Sequence, residues 1–128
     1  MNDFVSLWDG GPKFRQSEHF KLGTDSVLLA DFVNIGSRRK GIDLGCGSGI
    51  LPLLLLSRDA RLCMTGLEIN PEAAEAARDN LTANGLSGRG SVVVLRWASA
   101  GKASTKARNN IASRIIRICC YCFQDYGV

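Results

Sequence analysis

Three glycines within five residues, Gly45, Gly47 and Gly49, stand between a short apolar run and a longer one. Gly41-Ile42-Asp43-Leu44 leads into Gly45-Cys46-Gly47-Ser48-Gly49. An apolar run entering a glycine cluster predicts a strand that ends in a sharp turn. From 48 to 56 the chain is apolar all round, and its Pro52 is tolerated only near a helix start. That stretch predicts a helix packed against a sheet. Glycine is needed between the two because the chain turns tightly and a ligand must approach the backbone with no Cβ in the way.

The same rhythm repeats further on. Residues 63–69 are a second strand candidate, followed by Asn70-Pro71, an N-cap with proline at the first helical position. The helix predicted over 71–84 places Ala74, Ala77 and Leu81 on one side, with Glu72, Glu75, Arg78 and Asp79 elsewhere. It stops at Asn84-Gly85, a left-handed stop signal, and 91–95 is a third strand. Upstream, 24–35 predicts a helix opened by Thr24 as capping residue, with Val27, Leu28, Phe32 and Ile35 on a buried face. Strands and helices alternating through short turns argue for an α/β fold, a parallel sheet of about three strands with flanking helices.

Two acids flank the glycine turn. Asp43 stands one step before the strand ends, and Glu68 ends the next strand, nineteen residues after Gly49. An acid at about that spacing accepts hydrogen bonds from ribose hydroxyls, so Glu68 points to a nucleoside. The third glycine position of a dinucleotide fingerprint is occupied by Ile50. Asp43 would also repel a pyrophosphate. S-adenosylmethionine carries no phosphate but does carry an ammonium and a sulfonium, and an acid beside the turn suits that cofactor.

Asp43 to Gly49 resembles the cofactor motif of class I S-adenosylmethionine-dependent methyltransferases, whose fold is Rossmann-like. Phe20-Lys21-Leu22-Gly23-Thr24-Asp25-Ser26-Val27-Leu28-Leu29-Ala30-Asp31 is similar to the segment before that motif in bacterial adenine-N(6)-methyltransferases of the valine-tRNA type. The resemblance runs from about Phe14 to about Asn84. It implies that the turn through Gly45, Cys46, Gly47 and Gly49 lets the backbone approach the methionine part of the cofactor, while Asp43 faces its positive end. Glu68 would hold the ribose hydroxyls and Ile69 would lie against the adenine. Lys21, Thr24 and Asp25 would close the pocket. Lys21 reads equally as a solvated lysine, and Thr24 can cap and bind at once. For a full-length member the implied partner is tRNA and the compartment cytoplasmic. Related enzymes acting on rRNA or protein glutamine share the motif, so these acceptors stay open, as does a non-catalytic nucleoside- or RNA-binding fragment.

No catalytic residue is assigned. Transfer to an exocyclic amine needs acceptors that orient its N–H groups. In the family that task falls to an Asn-Pro-Pro-Tyr-like motif, and this sequence has none; Asn70-Pro71 is a helix cap.

The 128 residues suffice for one domain, and the longest charge-free stretch, 44–57, is too short for a bilayer span. The net charge of +4 is divided unevenly. Residues 1–90 hold ten Lys/Arg and eleven Asp/Glu, whereas 91–128 hold six Lys/Arg and only Asp125. Cysteine use shifts too, with Cys119, Cys120 and Cys122 at the end. Their spacing lacks the separation zinc ligands need, so no metal site is expected. The division predicts a cofactor-binding half over 1–94 and a divergent basic tail over 95–128, as a truncated or frame-shifted methyltransferase would have. In the tail, Ile111, Ile115 and Ile118 fall at helical spacing.

Overall fold

The computed structural model describes residues 3–18 and 22–95. The expected elements of the tail lie outside the described residues. A two-stranded antiparallel hairpin, β1 (Val5–Ser6) and β2 (Lys13–Phe14), comes first. Helix α1 (Thr24–Phe32) follows, then β3 (Lys40–Leu44), α2 (Ile50–Arg58), β4 (Cys63–Glu68), α3 (Pro71–Ala83) and β5 (Gly90–Val94).

Strands β3, β4 and β5 form one parallel sheet in that order. Asp43 stands opposite Gly66, and Glu68 opposite Val94. Both crossovers step the same way across the sheet, so right-handed connections place α2 and α3 on one face. Met64, Gly66, Glu68, Gly90 and Val92 on that face are buried. The core joins Leu53, Leu55 and Leu56 of α2 to Ala74, Ala77 and Leu81 of α3, with Met64 and Val92 beneath. On the opposite face Ile42, Cys63, Ser91 and Val93 are exposed. Among the described residues β3 has a strand partner on one side only.

The α/β class, the parallel sheet and its three strands follow the sequence reading. Asn70 caps α3 as expected, its side chain accepting from Glu72 and Ala73 N–H. Four local expectations are corrected. The second predicted helix begins at Ile50 rather than at 48, because the turn continues through a left-handed Gly49. Thr24 does not cap α1: Gly23 is the N-cap, it makes no side-chain cap bond, and Thr24 is the first helical residue. The helix also ends at Phe32 rather than 35, and Val27, Leu28 and Phe32 are exposed, Phe32 by 71%. Ala30 is its buried residue, turned toward the core that α2 builds.

Candidate cofactor site

The glycine turn joins the C-terminal end of β3 to α2, with positive φ at Gly45 (74°), Gly47 (54°) and Gly49 (79°). Three successive backbone donors of the turn are spent on the end of β4. Gly45 and Cys46 both donate to the Leu67 carbonyl, at 2.8 and 3.0 Å. Gly47 N–H donates to Glu68 Oε2 at 2.8 Å. The other oxygen, Oε1, accepts from Ile69 and Asn70 N–H at 2.8 and 2.9 Å. Glu68 is therefore a buried carboxylate answered by backbone donors, not an exposed strand end.

Asp43 lies on the same sheet face as Glu68, on the neighbouring strand. Burial, and then the Glu68 carboxylate, push the Asp43 carboxyl up to about 6. Two acids thus converge at the strand ends where α/β folds of this kind bind ligands. Cys46 points beneath the turn, packed so closely over Gly66 that a Cβ there would lie 2.6 Å from its Sγ. Burial and the two carboxylates push its thiol up to about 12, so it is an inert wall rather than a nucleophile.

The open side of the turn is at Gly45, where an added Cβ would meet no atom within 4 Å. Ile69, next after Glu68, is 60% exposed. Thr24 and Asp25 are exposed in the first turn of α1, which packs against α2. Lys21 lies outside the described residues. The chain therefore brings Asp43, the glycine turn, Glu68 and Ile69 together at adjacent strand ends.

Sequence reasoning missed Asn80. It is fully buried on α3, between the turn and the segment after β2. Its Oδ1 accepts from Arg15 N–H at 2.7 Å. Its Nδ2 donates to the Arg15 carbonyl at 2.9 Å and the Ser48 carbonyl at 2.8 Å. Ser48 Oγ in turn accepts from Ser17 N–H at 3.1 Å. Asn84, one helical turn on, brackets Lys13 similarly, accepting from its N–H and donating to its carbonyl. An available signal was the stripe 73, 77, 80, 84, which puts an amide on the alanine-lined core face of α3.

Residues 18–113 match the methyltransferase small domain family. The chain belongs to that family. The match takes in three quarters of the sequence and continues past Asn84 into the basic stretch. Among curated relatives of this methyltransferase small domain is a tRNA1(Val) (adenine(37)-N6)-methyltransferase of Yersinia enterocolitica. It is 43% identical over 61 residues, which make up 47% of this chain and 24% of the relative. The chain thus spans about a quarter of the length of the curated relatives it matches. Among solved structures, the delta-N METTL16 MTase domain superposes with a TM-score of 0.63 at 20% identity, covering 91% of this chain and 66% of its own. TrmK of M. capricolum, solved with S-adenosylhomocysteine, gives 0.52 at 19% identity, covering 60% and 33%. These two likenesses establish a shared fold.

Proposed function

We propose that residues 1–94 are the S-adenosylmethionine-binding half of a methyltransferase that acts on the exocyclic amine of an adenine in tRNA. One observation carries the choice of cofactor. The glycine turn spends the N–H groups of Gly45, Cys46 and Gly47 on Leu67 and Glu68, and two carboxylates stand beside it. A turn that cradles phosphate offers those donors to the anion. Here they already have acceptors, and a pyrophosphate would meet Asp43 and Glu68. A cationic nucleoside without phosphate fits the same surroundings.

On this reading Asp43 faces the cationic end, and the backbone at Gly45, free of any Cβ, takes the methionine part. Glu68 receives a ribose hydroxyl through its remaining acceptor capacity on Oε2, and Ile69 offers an apolar surface to the adenine. Thr24 and Asp25, in the first turn of α1, complete the pocket from the preceding segment. The cofactor, when bound, supplies an activated methyl group. The adenine and tRNA acceptors rest on the named relatives of the Yersinia type. The absence of an Asn-Pro-Pro-aromatic motif in these 128 residues favours a second reading of the chain taken alone, a cofactor-binding piece that transfers no methyl group.

Calorimetry with S-adenosylmethionine, S-adenosylhomocysteine and a nicotinamide dinucleotide tests the site. Binding of the first two and not the third is expected, and the reverse would overturn the reading. A methyl-transfer assay on unmodified tRNA then separates enzyme from binding piece.

A further inference from the structure

Asn80 belongs to neither the acids nor the glycines of the site, yet it touches both segments that would wall the cofactor. Its orientation is decided by its partners. Arg15 N–H can only donate and so must face Oδ1; the carbonyls of Arg15 and Ser48 can only accept and so must face Nδ2. The bonds to Arg15 take both backbone groups of one residue, as a neighbouring strand would. The bond to Ser48 answers a different need. Ser48 precedes Gly49, the N-cap of α2, so its carbonyl stands outside the helical ladder. Ser48 is buried, so water is a poor substitute. Asn80 supplies the donor that this buried turn carbonyl needs.

The consequence is a three-way joint. Residues 15–17, the glycine turn and α3 meet at the Asn80 amide, reinforced by Ser17 N–H on Ser48 Oγ and by the Arg15–Asp79 ion pair. The first segment meets the turn directly through Ser17, and the second carries Gly45 and Gly47. We infer that Asn80 is a positioning residue for the cofactor: it sets the glycine turn and the N-terminal segment at a fixed distance from each other, and so shapes the pocket without touching its occupant. The inference rests on the S-adenosylmethionine reading for its ligand but on hydrogen bonds alone for the joint.

The test compares full-chain variants Asn80→Asp, Asn80→Ser, Ser48→Ala and Asn84→Ala. Asn80→Asp keeps the acceptor for Arg15 N–H but sets an oxygen against two carbonyls. Asn84→Ala removes the neighbouring bracket on Lys13 and a bond to the Asn80 backbone carbonyl, and leaves the Asn80 side chain its partners in the turn and at Arg15. Both Asn80 variants are expected to bind S-adenosylmethionine about tenfold more weakly per folded molecule. In the ligand-free protein they should also exchange the amides of 15–17 and 46–49 faster. Asn84→Ala should melt earlier with unchanged affinity. Should the Asn80 variants fail to fold, Ser48→Ala cuts the milder Ser17 link and is expected to speed exchange over 15–17 and weaken binding. Should the wild-type chain bind no S-adenosylmethionine while exchange at 46–49 still depends on Asn80, the cofactor reading falls and the joint stands. Asn80 or Ser48 variants that only melt earlier, with exchange and affinity unchanged, overturn the inference.

Discussion

Asp43 is costly where it stands. Folding removes it from water and sets it near Glu68, and its carboxyl is pushed up from 3.8 to about 6. The folded chain therefore holds a proton on Asp43 through a pH range in which the unfolded chain has lost it. This contribution to stability is complete below about pH 4 and is lost as the pH rises through 6. At neutral pH the ionised carboxylate is a liability for folding. Asn at this position is expected to stabilise the ligand-free chain by about 1–2 kcal/mol at pH 7, in denaturant titration. The same change should weaken S-adenosylmethionine binding, because the ligand's cations need the ionised form. In the wild type, affinity should rise from pH 5 to 7.5, by up to about tenfold, as Asp43 ionises. Affinity that is flat with pH, or an Asn variant that binds as tightly as Asp43, would separate Asp43 from the cationic end of the ligand.

At the scale of elements, the turn into α2 assigns its glycines two separate tasks. Gly49 lies where the turn presses on α3: with φ at +79°, an added Cβ would come within 2.9 Å of Ala77 Cβ and 3.2 Å of its Cα. Gly45 shares the backbone shape but faces open space. Gly49→Ala is expected to destabilise the chain by about 2–4 kcal/mol, adding a helix–helix clash to the left-handed strain. Gly45→Ala should cost only about 1 kcal/mol of stability and show itself in cofactor binding. Thermal melts and calorimetry on the pair check this division, and equal melting losses would contradict it. The glycine cluster, the Asn70-Pro71 cap and the Asn84-Gly85 stop made the β3–α2–β4–α3–β5 run legible in the sequence, because each is a local signal with a local cause. The spacing of Asp43 and Glu68 was legible for the same reason. The β1–β2 hairpin was not: its strands are two residues long, and β2 is bracketed by Asn84 from 71 residues away. Periodicity in α1 announced an apolar face, but no period says what covers it, and Val27, Leu28 and Phe32 proved exposed.

For the molecule as a whole, α2 and α3 crowd one face of the sheet and leave the other uncovered among the described residues. Ile42 on β3 and Val93 on β5 stand there 48% and 47% exposed, with Cys63 on the same face, and among the described residues each of these two outer strands is paired on one side only. Unpaired backbone groups next to exposed aliphatic side chains form a surface on which other chains can pair. Self-association that grows with concentration is therefore expected, read by sedimentation or light scattering. A lysine at an edge position opposes such pairing by charge, and at a half-exposed site it costs the fold little. Ile42→Lys combined with Val93→Lys should reduce association while moving the melting temperature far less than Leu53→Ala, which hollows the buried core under α2. If the double lysine variant unfolds as readily as Leu53→Ala, this face is packed in the full chain, and association must be sought on the exposed side of α1, where Leu28 and Phe32 are also open to solvent.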